Sequence, residues 1–161
     1  RYFNVAGASL DGTIGQATKN ATHLIKVACE TAAGQHPAMK VFGTDYNTPD
    51  GTCIRDYIHV TDLATAHLKA LEYLGDDGES TVLNCGYGHG YSVEKVIQTC
   101  KSVSQIDFTV DNCARRPGDS AAVVANNSKI LKTLDWKPQH DNLELICESA
   151  WNWEKTLQSK K

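Results

Sequence analysis

The spacing of hydrophobic positions changes along this chain, and each change marks an element. Residues 1–7, RYFNVAG, group aromatic and β-branched side chains and stop at Gly7, as a strand feeding a loop does. The polar loop ASLDGTIGQATKNA follows. Thr22 then opens a helix, THLIKVACETAAG, with Leu24, Ile25, Ala28 and Ala32 at helical spacing and Gly34 just past its end. MKVFG reads as a short strand. In DYNTPDGT, Pro49 fixes φ and Gly51 accepts positive φ, which predicts a tight turn. CIRDYIHV reads as a second extended run.

Thr61 is expected to cap a helix from Asp62, with Leu63, His67, Leu71 and Leu74 along one face. STVLNCG, at 80–86, reads as a buried strand. Ser92 is placed to cap the helix VEKVIQTCKSV, and DFTVDN alternates like a half-solvated strand. A short helix is expected from Ser128 to Leu134, stopping before Pro138. Asp141 and Glu144 have capping-box spacing ahead of a last helix that carries Leu143, Ile146, Ala150, Trp151 and Trp153. Strands alternating with helices predict an α/β fold with a largely parallel sheet.

Composition narrows the classes. With 161 residues, 41% of them hydrophobic and 22% charged, the chain is long enough for one domain with a real core. A net charge of −3 gives no basic field for a nucleic-acid partner. No apolar run approaches the ~20 residues of a membrane span, so no membrane partner is expected. No signal peptide is expected. It opens on Arg1 and runs at once into a strand, which is expected of a piece of a longer protein. Cys29, Cys53, Cys85, Cys100, Cys113 and Cys147 form no C-x-x-C pair, so no metal site is expected. Buried, reduced thiols are the better reading, and they point to a cytoplasmic protein.

The candidate chemistry is sparse. LNCGYGHGYSVEKV follows a predicted strand and opens a helix, as a dinucleotide fingerprint does. Its glycines fall at 86, 88 and 90, however, and Tyr91 occupies the place where the third fingerprint glycine would allow close helix packing. A tight loop near a ligand is expected there rather than a cofactor-phosphate site. Asp107 alone is weak support for a ribose-binding acid. Arg55, inside an apolar run, wants a phosphate or a carboxylate, and Asp56 or Asp62 could satisfy it. Arg115-Arg116-Pro117-Gly118-Asp119 is a turn that could aim a second guanidinium inward, or a solvated basic turn. Asn4 ends a strand, where ligands collect in open α/β sheets. Tyr57 and His59 are acid–base candidates, although a histidine beside a helix start is more often structural. His36, His89 and His140 read as loop residues. No Ser-His-Asp arrangement is legible.

Taken together, these segments resemble the C-terminal half of the UDP-glucose 4-epimerases, in the extended short-chain dehydrogenase/reductase family. The resemblance runs from RYFNVAGA and THLI through KVFGTDYNTPDGTCIRDYIHVTDLA, LNCGYGHGYSV and RRPGDSAAVVA to the terminal W-x-W helix. It implies Rossmann-sheet strands and helices plus a small substrate-binding α/β subdomain. It also implies an NAD cofactor held mainly by an N-terminal Rossmann domain that residues 1–161 do not include. The implied activity is 4-epimerisation of a UDP-hexose in galactose metabolism, by a homodimer when full length. Phe3 would touch the nicotinamide side. Asn4, His23, Leu24, the Lys40–Val41–Phe42 backbone, Arg55, Arg116 and Asp119 would hold the UDP-sugar. Val123 would gate sugar size, and its small side chain leaves room for N-acetylated sugars. The catalytic Tyr-x-x-x-Lys pair is expected outside this chain, since Tyr91 and Lys95 match its spacing only by chance. No catalytic residue is therefore expected here, and these residues alone should be inactive. Another UDP-sugar 4-epimerase (for UDP-N-acetylglucosamine, UDP-glucuronate or UDP-xylose) and a non-catalytic sugar-nucleotide binding module are the alternatives. Unpaired strand edges should make the isolated chain aggregate, swap or stay partly ordered.

Overall fold

A computed structural model describes residues 1–159. The element order is β1 (Asn4–Ala6), α1 (Leu24–Ala32), β2 (Met39–Phe42), β3 (Ile54–Arg55), β4 (Tyr57–His59) and α2 (Val60–Gly75). It continues with β5 (Tyr91–Ser92), α3 (Val93–Ser104), β6 (Val110–Cys113), β7 (Ala122–Val123), α4 (Ser128–Thr133) and α5 (Leu143–Ser159). This is the expected mixed α/β architecture, but its strands fall into three small sheets. β1 pairs parallel with β4, and β2 pairs parallel with β6. β3 lies between β5, antiparallel, and β7, parallel.

The helices α1, α3 and α5 pack together beside β2. Ile25, Ala28 and Cys29 from α1, Val96, Ile97 and Cys100 from α3, and Ile146 and Cys147 from α5 share one buried cluster with Met39 and Val41. Helical spacing puts each set on one stripe, and burying that stripe is what holds the helices in place. The Pro-Asp-Gly turn forms as its sequence demands. Gly51 has φ +81°, and a Cβ there would lie 2.1 Å from the Thr44 carbonyl oxygen. Ser92 caps α3 by accepting from the Lys95 N–H at 3.1 Å.

Several expectations fail for identifiable reasons. CIRDYIHV is two strands in two sheets, with buried Asp56 at the joint. Thr61 does not cap α2. His59 does, its Nδ1 accepting from the Thr61 N–H at 3.1 Å. Of the expected face, Leu63 packs against the core but His67, Leu71 and Leu74 are exposed, and α2 buries Asp62 and Ala66. STVLNCG forms no strand. Its backbone meets Tyr2 only through a bridge at Cys85, while Val82 is exposed. Asn142, rather than Asp141, caps α5 by accepting from the Leu145 N–H at 3.0 Å. Asp141 instead faces His89 at 2.8 Å.

Candidate functional site

A cavity of about 600 Å³ opens between the start of α1, β2, β3 and the 116–119 turn. Parallel pairing brings its walls together. β2 and β6 align Phe42 with Cys113, so the chain leaving β6 carries Arg116 back over the Phe42 ring, 3.8 Å from its centroid. β3 and β7 align Arg55 with Val123, which brings the 119–120 segment beside Arg55. Arg55 Nη1 donates to the carbonyls of Ile54 at 2.8 Å and Ser120 at 2.9 Å, and Nη2 lies 3.6 Å from Asp119. Neither Asp56 nor Asp62 is its partner. The neighbouring Arg115 turns away, with Nε 2.7 Å from Asp45 and its guanidinium over the Tyr46 ring.

Asn4, His23, Leu24, Lys40, Val41, Phe42, Arg55, Arg116 and Asp119 all line this cavity. Phe3 and Val123 do not. Phe3 N–H donates to the Cys85 carbonyl at 3.2 Å, and Val123 is 40% exposed on β7. Thr22, His36, Cys53, Tyr57 and Val93 line the cavity too. Only Tyr57 carries a sequence signal for chemistry, and its burial pushes the phenol pKa well above the usual value. Nothing in the sequence singles out the others, because the wall they share is assembled from segments far apart in the chain. Arg55, Arg116 and Lys40 against Asp119 leave the cavity with an excess of positive charge suited to an anionic ligand.

The glycine-rich loop is not at the ligand cavity. It wraps an internal anion. Asp56, fully buried, accepts from the N–H groups of Tyr87 at 3.0 Å, Gly88 at 3.0 Å and Ala125 at 3.2 Å. Those amides, which could have faced a cofactor phosphate, face a carboxylate of the chain itself. Asp107 is a surface residue 2.5 Å from Lys101 Nζ.

His59 is structural. It is fully buried, its Nε2 is 3.2 Å from Ser149 Oγ, and its ring stacks on His140 with centroids 4.8 Å apart. Burial, reinforced by His140 and opposed by Asp62, lowers its pKa to about 4. Asp62 organises the same region. It accepts from Tyr87 Oη and His140 Nδ1, both at 2.7 Å, and from the N–H groups of Gln139 and His140. Burial works against its charge, but these hydrogen bonds, led by His140, hold its pKa below the usual carboxylate value.

Known proteins share this sequence and fold. A family model described as GDP-mannose 4,6 dehydratase matches residues 1–149. The UDP-glucose 4-epimerase of Azospirillum brasilense is 53% identical over 98% of this chain and 45% of its own length. The UDP-Glc/GlcNAc 4-epimerase structure from Campylobacter jejuni is 54% identical, with a TM-score of 0.81 over 97% of this chain and 47% of that one. The UDP-glucose 4-epimerase structure from Bifidobacterium longum, in complex with NAD+ and UDP, is 37% identical, with a TM-score of 0.92 over 100% of this chain and 48% of that one. The chain thus spans about half the length of the curated relatives it matches. Since the family model covers nearly all of it, the chain belongs to the GDP-mannose 4,6 dehydratase family.

Proposed function

We propose that this chain is the UDP-sugar-binding, C-terminal portion of an NAD-dependent UDP-glucose 4-epimerase. One observation carries the reading. Two guanidiniums from distant segments, Arg55 and Arg116, meet at one cavity whose other wall is the edge strand β2. A diphosphate offers oxygens on two centres to such a pair. An edge strand offers backbone N–H and C=O groups that can read a nucleobase. Asn4 serves the phosphates, His23 and Leu24 the nucleotide, the Lys40–Val41–Phe42 backbone uracil, and Asp119 the ribose.

The glycine-rich loop does not fit a cofactor pyrophosphate, because Asp56 already occupies its amides. In this proposal NAD is held by sequence other than these residues, with Phe3 facing its nicotinamide side. NAD supplies reversible hydride transfer at the sugar, and the residues described here bind and orient the UDP-sugar. A homodimer in the cytoplasm belongs to the same reading, which the free thiols of all six cysteines support.

The test is conversion of UDP-galactose to UDP-glucose by the whole protein. Arg55→Ala should reduce kcat/KM about 100-fold, mostly through KM, the scale of losing charge-assisted contacts. UDP binding without turnover would favour a non-catalytic module, and no binding at all would overturn the site. A broader sugar range is a second reading, favoured by the 54% identity to an enzyme described as acting on UDP-Glc and UDP-GlcNAc. By resemblance Val123, outside the cavity lining but paired in register with Arg55, would gate the sugar and leave room for the N-acetyl group. Inability to turn over UDP-N-acetylhexosamines would remove that reading alone.

A further inference from the structure

A buried ion cluster contacts His36, a residue of the cavity wall. Lys26 Nζ is 2.5 Å from Glu154 and 3.2 Å from Glu30, and all three side chains are buried. Burial opposes the Lys26 charge, but Glu154 and Glu30 overcome it and raise its pKa. The two glutamates also hold the loop between α1 and β2. Gln35 Nε2 donates to Glu154 at 2.5 Å, and His36 Nε2 is 3.2 Å from Glu30. Two buried carboxylates thus share one ammonium, with Gln35 donating to Glu154 and His36 beside Glu30. With Nε2 turned to Glu30, Nδ1 is the ring nitrogen left for a ligand.

His36 is not buried with its partners. Its side chain is 46% exposed, and it lines the same cavity as Arg55 and Arg116. His36 precedes β2 at the end of the strand away from Phe42, whose ring Arg116 covers, and at about 3.3 Å per residue β2 itself spans roughly 10 Å. That separation suits the nucleoside of a ligand whose diphosphate sits at the arginines.

We propose that His36 is a binding residue for the nucleoside end of the ligand, oriented by the Glu30–Lys26–Glu154 cluster behind it. The inference rests on the reading of this cavity as a UDP-sugar site. An imidazole anchored through one nitrogen keeps its plane and its free edge fixed, so it loses little freedom when a ligand arrives. Glu30 is a positioning residue and does not touch the ligand.

Two measurements on the whole protein test this. The first is the rate at which diethyl pyrocarbonate labels each histidine, read by peptide mass spectrometry with and without saturating UDP. UDP should slow labelling of His36 several-fold and leave His67, exposed on α2, unchanged. The second is UDP affinity by calorimetry. His36→Ala should weaken UDP about fivefold, the scale of one lost hydrogen bond. Glu30→Gln should weaken it less, because the ring remains. Labelling of His36 that is indifferent to bound UDP, or wild-type affinity in His36→Ala, overturns the proposal. Arg55→Ala separates the two levels. If it loses UDP while His36→Ala does not, the cavity reading stands and the His36 contact falls. If UDP binds neither the wild type nor the variants, the cavity reading itself fails.

Discussion

His59 sits in the motif where a catalyst would be sought, between an extended run and a helix start. Its burial decides otherwise. A ring that caps α2 through Nδ1 and meets Ser149 through Nε2 has both nitrogens engaged inside the protein. Its folded pKa, about 4, is below the unfolded value of 6.5. Between those values the unfolded chain binds the proton and the folded one does not, so stability falls as pH drops from 6.5 towards 4. Denaturant unfolding at pH 7 and pH 5 should show this loss, and His59→Gln should flatten it. An equal slope in both proteins would mean that another group carries the pH dependence. Asp62 acts in a lower window. Its depressed pKa contributes stability that is present above the usual carboxylate value and lost below it.

At the scale of elements, periodicity was legible wherever one face alone decides packing. α1, α3 and α5 follow their apolar stripes, and Ser92 caps as its type predicts. The glycine-rich loop was legible as a tight turn, but it was expected near a ligand and instead closes on Asp56. The reason is close approach: a Cβ at Gly86 would lie 2.7 Å from both the Asp56 carboxylate and the Ala125 side chain. Gly86→Ala should therefore destabilise the fold by about 2 kcal/mol, the scale of overpacking a filled core site. It should also weaken UDP binding, since Asp56 adjoins Arg55. Thermal melting and UDP titration check both. A variant as stable as the wild type would show that the loop can move off Asp56. α2 was misread because it packs through Leu63, Ala66, Ala70 and Tyr73 rather than through Leu71 and Leu74. With Asp62 buried among its four donors, Leu68, Leu71 and Leu74 face outward.

For the whole molecule, that outward face has a consequence. Leu68, Leu71 and Leu74 are 60%, 69% and 55% exposed on one side of α2. Contiguous exposed apolar surface of this kind drives association. A polypeptide of residues 1–161 expressed alone should self-associate, and Leu68→Lys, Leu71→Lys and Leu74→Lys together should reduce that without lowering the melting temperature. Light scattering with concentration is the measurement, and a monomer at all concentrations in the unsubstituted chain would refute it.

Local chemistry is what the sequence determined by itself. Helical stripes, the Pro49–Gly51 turn, the Ser92 cap and the arginines suited to phosphate are each set by a few neighbouring residues and their allowed backbone conformations. Only the tertiary structure decided which partners met. Arg55 found Ser120 and Asp119 rather than Asp56, the glycine loop found Asp56 rather than a phosphate, and His36 found the cavity. Each of these depends on strand register and on which polar groups could be satisfied once water was excluded. Burial makes an unmet donor or acceptor costly, so the pairing is settled by the whole packed arrangement rather than by spacing along the chain.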